Sequence, residues 1–152
     1  MPQRYYFYMT SFLISSDIYR NTHYGGKHPL NIPRVGATLD LIKAMSWYDE
    51  AKFITAPIAK PSLLKKFHSN DYVNVLIEAD EKQEIDKNQS NKYNLGTPSN
   101  PIFKGMYKRP ATSVGGSVVA AEFAFLHGRA FNLGGGLHLS LIHISEPTRR
   151  IE

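Results

Sequence analysis

The chain has 152 residues, 42% hydrophobic and 12% aromatic, enough for one globular domain with a core and too apolar for an intrinsically disordered segment. Eighteen Lys and Arg against thirteen Asp and Glu give a net charge of +5. That excess is scattered, with only Lys65-Lys66, Lys108-Arg109 and Arg149-Arg150 as pairs, which argues against a nucleic-acid-binding stripe and predicts no direct nucleic-acid partner. The absence of cysteine excludes disulfides, Cys-ligated zinc and a thiol nucleophile, and the expected compartment is a reducing cytoplasm.

In chain order, Arg4 precedes the apolar run Tyr5 to Ile14, which lacks a small-x-small cleavage site and is too short for a membrane span. No membrane association is expected, a first strand is predicted at Phe12 to Ser15, and Met9 is an alternative start to Met1. Pro33 stands where a helix can begin, and Val35, Leu39, Ile42 and Met45 recur at helical spacing to about Ser46. Phe53-Ile54 reads as a second short strand, and Pro61 opens a short helix through Leu63, Leu64 and Phe67. Ser69 is the expected N-cap of a helix from Asn70 to about Ala79, with Val73, Leu76 and Ile77 facing inward.

From Asp80 to Asn100 the chain turns polar, and Asp86 to Lys92 is almost free of apolar residues, which predicts a long surface loop. Thr112 to His127 returns to a helix rich in small residues. Its Gly115-Gly116 pair costs about 1 kcal/mol per glycine relative to alanine, so a close backbone approach is expected to compensate. The helix should end near Gly128, followed by a buried strand at Arg129 to Leu133. No internal repeat is present, and the alternation of strands and helices predicts an α/β fold.

Gly134-Gly135-Gly136-Leu137-His138 follows that last strand. Ligand chemistry in open α/β sheets collects just past the carboxyl ends of strands, and glycines let the backbone approach a ligand closely. A histidine there can act as a general base, a metal ligand or a proton shuttle. Taken alone, the pattern also fits a plain turn followed by a structural histidine.

An ordered set of segments carries a resemblance: Tyr19-Arg20-Asn21, His28 to Arg34, Phe67 to Tyr72, Asn94 to Thr97, Asn100 to Tyr107, the Gly115-Gly116 helix, and Asn132 to His138. Together they resemble the amino-terminal half of the zinc-dependent histone deacetylase family, in particular the bacterial branch that includes acetoin-utilisation proteins. The resemblance implies the amino-terminal part of an open, mainly parallel-sheet, arginase-like deacetylase domain over about residues 11 to 138.

It also implies roles. Gly135 and Gly136 match the family's active-site glycine loop, and His138 matches the first of two adjacent histidines, the one that hydrogen-bonds the attacking water. The second, usually assigned the acid/base role, falls at Leu139, which cannot transfer a proton. Arg34 resembles the buried arginine of the internal channel for the acetate product; a surface arginine at a helix start is the other reading. His28 and His68 match positions that look architectural, whereas His23, His127 and His143 receive no role. Where many members carry an acidic residue that grips substrate backbone, this chain has Thr97-Pro98-Ser99-Asn100, which offers no charge assistance.

In the family, zinc polarises the amide carbonyl and lowers the pKa of bound water. Its ligands, an Asp-x-His pair and a second Asp, lie carboxyl-terminal to the double histidine. After His138 the chain has only Glu146, Glu152 and His143, so no metal ligand is assigned and zinc is not expected to bind this fragment at the family site.

Leu139 to Arg149 resembles the in-frame translation of a transposase adapter used in sequencing libraries; a genuine edge strand from Leu139 to Ile144 is the alternative. The expected organisation is a partial deacetylase-like domain at 1–138 and a non-native tail at 139–152.

The expected function is that of a fragment of a zinc-dependent deacetylase acting on an acetylated lysine side chain, a polyamine or a small acetylamide. The fragment itself is expected to be inactive and marginally stable. The alternative is a non-catalytic α/β binding module with a glycine-rich ligand loop. It lacks both a Lys-Ser/Thr pair after the glycines and a Gly-x-Gly-x-x-Gly.

Overall fold

The computed structural model describes residues 10–21 and 33–136. Apolar runs at three places form a parallel sheet: β1 (Thr10–Ser15), β2 (Phe53–Thr55) and β3 (Gly128–Asn132), in spatial order β2-β1-β3. Leu13 lies opposite Phe53 on one side and Phe131 on the other, so the amino-terminal strand is the central one. Its last three residues, Leu13, Ile14 and Ser15, are buried. All three expected strands are present, with ends shifted by one or two residues, but the third, expected to be buried, buries no residue and leaves Phe131 63% exposed.

Parallel neighbours require crossovers, and here helices supply them. After β1 come a single turn, α1 (Ile18–Asn21), and then α2 (Arg34–Ala44). Helix α2 buries Gly36 and Leu39, whereas Met45, expected on its inner face, is the C-cap residue and 52% exposed. A 3-10 turn at Glu50–Lys52, capped by the Asp49 carboxylate accepting from the Ala51 N–H at 3.0 Å, leads into β2.

Next come α3 (Pro61–Leu64), α4 (Asn70–Lys82), α5 (Lys87–Tyr93) and α6 (Lys108–His127). Helix α3 stops before Phe67, which is 90% exposed. Ser69 caps α4 as expected, its hydroxyl accepting from the Tyr72 N–H at 3.3 Å. Val73 is buried, but Val75 and Ala79 are the other deep positions, with Leu76 and Ile77 only half-buried. Val75 and Ala79 join Leu95 and Met106 in a buried cluster, with Ile85, Tyr93 and Phe103 packed against it.

The expected loop from Asp80 to Asn100 is corrected in two places. Helix α4 runs on to Lys82, and the most polar stretch is α5 itself. The Asp86 carboxylate accepts from the N–H groups of Asn88 and Gln89 at 2.9 and 3.2 Å, satisfying donors that a helix start otherwise leaves open. Asn94 ends the helix in a left-handed conformation, φ 54°. Capping at both ends specifies this short helix where hydrophobic periodicity does not.

Helix α6 starts four residues earlier than its apolar pattern, because Pro110 lies in the first turn, where an N–H has no helical partner to lose. It crosses the sheet closely. A Cβ on Gly115 would sit 2.0 Å from the Pro57 carbonyl oxygen, and one on Gly116 would sit 2.9 Å from the Asn132 amide. The expected compensation for the glycine pair is therefore present. Near the helix end, Phe123 packs edge-on against Phe12 of β1 with centroids 4.8 Å apart, and the His127 ring lies 5.1 Å from Phe12. Gly128, at φ 102°, both ends α6 and begins β3.

Candidate functional site

The order β2-β1-β3 puts the carboxyl ends of β1 and β3 side by side. In doubly wound sheets that begin 2-1-3, this is where ligands bind. The first turn after β1 brings in Tyr19, and the segment after β3 brings in Gly134 to Gly136.

Three elements fix the start of the glycine segment. Asn132 uses its carbonyl side-chain oxygen to accept from the Gly134 N–H at 3.1 Å. Its amide nitrogen donates to the Ser113 carbonyl at 3.2 Å and to the Ser117 hydroxyl at 3.1 Å, tying the loop to α6. The Gly134 carbonyl in turn accepts from the Ser113 hydroxyl, and from the Tyr19 hydroxyl at 3.5 Å. Gly134 must be glycine here, because a Cβ would lie 2.2 Å from the Tyr19 ring.

Tyr19 is 4% exposed. Burial pushes its phenol up to about 12, against the opposing pull of Arg109, whose guanidinium stands 5.6 Å from the ring centre, and of the Ser113 hydroxyl. At neutral pH Tyr19 is therefore a neutral hydrogen-bond donor.

Gly135 and Gly136 differ from Gly134. A Cβ on Gly135 would make ordinary contact with the Asn132 carbonyl at 3.5 Å, and one on Gly136 would meet nothing within 4 Å. Packing among the described residues therefore leaves both positions open. Leu137, His138 and Leu139 lie outside the described residues, as do His23, His28, His143 and the 139–152 tail.

Arg34 is the first residue of α2 and is exposed. Arg20, next to Tyr19 in sequence, pairs with Asp40 through two hydrogen bonds of 2.7 and 2.6 Å and reaches Asp17 at 3.3 Å. A Cβ on Gly36 would lie 2.8 Å from the Arg20 side chain, so the arginine lies flat along α2. His68 follows α3, its ring set against Phe67 and Tyr72. Thr97 to Asn100 forms a tight turn closed by the Asn100 N–H to the Thr97 carbonyl at 3.0 Å, with Ser99 exposed.

Sequence reasoning selected the glycine loop but not the Tyr19, Ser113 and Asn132 side chains that hold it. Among the described residues no three His, Asp or Glu side chains gather where a metal could bind, so these residues do not fit a zinc site. No helix among them is long and apolar enough to cross a membrane.

Comparison with known proteins matches the histone deacetylase domain model to residues 28–141. The chain is 33% identical over 132 residues to the acetoin utilization protein AcuC of Bacillus subtilis strain 168, covering 84% of this chain and 33% of that protein. It is 35% identical over 124 residues to histone deacetylase HDAC1 of Drosophila melanogaster, covering 78% of this chain and 23% of that one. Among solved structures, an HDAC homolog from Aquifex aeolicus superposes with a TM-score of 0.80 at 37% identity, covering 86% of this chain and 35% of that one. The chain thus spans about a third or less of the length of these relatives. With the family model matching most of its residues and a shared α/β fold around the glycine loop, the chain belongs to the histone deacetylase family.

Proposed function

We propose that this chain is part of a zinc-dependent deacetylase that hydrolyses the amide of an acetylated lysine side chain, an acetylated polyamine or a related small acetylamide. The observation that carries this reading is the glycine segment at the β1/β3 crevice. Gly134 is locked by its neighbours while Gly136 meets none of the described residues, an arrangement suited to bringing backbone and the following His138 up to a bound substrate. In this reading His138 hydrogen-bonds the attacking water, and Gly135 and Gly136 leave room for the acyl group. Arg34 serves the product channel once further chain covers the start of α2. The described residues supply no metal ligand set, so zinc would depend on ligands outside them. The working compartment is the cytoplasm. The family match leaves a non-catalytic binding module without support.

The same reading takes residues 1–138 as the deacetylase portion and 139–152 as an adapter-derived tail. Sequencing the genomic locus through codon 139 tests it. A histidine codon there, followed downstream by Asp-x-His, is expected; an uninterrupted match to the present tail and a stop after Glu152 would overturn it. The 152-residue chain should give no turnover of an acetyl-lysine peptide or acetylpolyamine with or without added zinc, because Leu139 cannot move a proton. Product above the blank would refute that expectation.

A further inference from the structure

Between α4, the segment before α6 and the amino-terminal half of α6 lies a cavity of about 410 Å³, within the range of small-molecule sites. Tyr72 and Leu76 of α4, Phe103 and Met106 of the following segment, and Val114 of α6 form its apolar walls. The exposed residues His68, Ser99 and Asn100 and the hydroxyls of Tyr72 and Tyr107 add polar groups. Among the described residues no Lys, Arg, Asp or Glu lines it.

The wall is also built rather than loose. The Asp80 carboxylate accepts from the Gly105 N–H at 2.5 Å and from the Tyr107 N–H at 3.3 Å, pinning the segment that carries Phe103 and Met106 to α4. At the other end of the same segment, the Gly96 N–H donates to the Asn100 carbonyl at 2.9 Å, and the Asn100 side chain donates to the Asn94 carbonyl at 3.1 Å. Charge-assisted and backbone hydrogen bonds of this kind hold a pocket open before a ligand arrives, which lowers the ordering cost of binding.

We propose that this cavity binds an uncharged, compact aromatic molecule. Aromatic rings and a methionine sulfur favour an aromatic occupant. With no side-chain charge to compensate it, an ionised ligand would lose hydration without gaining a partner. None of Gly134, Gly135 and Gly136 lines the cavity, although Ser99 and Asn100 belong to the turn that the family resemblance sets near the substrate backbone, and the proposal does not depend on the deacetylase reading.

Indole is the probe, followed by amide shifts in two-dimensional NMR of the 152-residue chain. Indole should shift the amides of Leu76, Met106 and Ala111 saturably, whereas indole-3-carboxylate and tryptamine should bind at least about tenfold weaker. Val114→Trp, which fills the cavity from the helix surface, should abolish the shifts. Glu122→Trp, on an exposed part of α6, should leave them unchanged. Shifts elsewhere, equal binding of the charged analogues, or binding that survives Val114→Trp would overturn the proposal. So would a spectrum without dispersed amides, since the preformed wall would then be absent.

Discussion

Three glycines within one short segment play different physical parts. Gly134→Ala would drive a methyl group into the Tyr19 ring, so it should destabilise the chain by about 1–3 kcal/mol. Gly136→Ala, with none of the described residues within 4 Å of the new methyl, should stay within about 0.5 kcal/mol of the parent. Urea denaturation of the two variants checks the contrast, and equal midpoints would contradict it. Tyr19 adds a pH signature. Its phenol has a pKa of about 12 in the fold against an ordinary 10.0, so the folded state holds the proton more tightly than the unfolded chain does. The resulting stabilisation is complete below pH 10 and is lost as pH rises towards 12. Tyr19→Phe removes this contribution, so the parent should lose stability relative to the variant across that interval. Denaturation midpoints measured from pH 9 to 12 on both proteins would show a constant gap if the reasoning fails. The glycines were legible in the sequence because glycine clusters are conspicuous. Their bracket was not, since the Tyr19 hydroxyl and the Gly134 carbonyl are 115 positions apart and no local rule joins them.

The helices separate into those that hydrophobic spacing announces and those that capping alone defines. Helix α4 is of the first kind, with Val75 and Ala79 four residues apart on the buried face, and Ser69 marks its start. Helix α5 is of the second kind. It buries no residue, so a reading based on apolar recurrence passes over it, although Asp86 and Asn94 encode both its ends. Asp86→Ala should therefore cost about 1 kcal/mol, felt mainly within α5. Hydrogen exchange at Asn88 and Gln89 should accelerate while α4 amides keep their protection; uniform acceleration would show that the cap acts on the whole fold instead. The early start of α6 has a similar origin, because Pro110 reads as a breaker in sequence but is harmless in a first turn. The strands were legible as short apolar runs, and their parallel order followed from the helices between them.

At the scale of the whole molecule, the sheet is covered unevenly. Among the described residues β3 pairs only with β1, and Phe131, Phe125 and Leu126 are 63%, 91% and 69% exposed. An open strand edge beside exposed aromatic rings favours association between chains. The purified chain should show a sedimentation coefficient that climbs with concentration, and Phe131→Lys should flatten that rise; a concentration-independent monomer would contradict it.

The place of β1 at the centre of the sheet bears on how the chain acquires its structure during synthesis. Thr10 pairs with Gly128, so the first strand to leave the ribosome is among the last to complete its pairing. At typical translation speeds the two partners emerge on the order of ten seconds apart. Through that interval the short β2 is the one strand partner described for Leu13 and Ile14, and α6, which packs on β1 through Phe123 against Phe12, emerges only towards its end. The central strand is thus the nascent chain's longest-waiting sticky segment, and a holdase that shields it would be needed most before residue 128 appears.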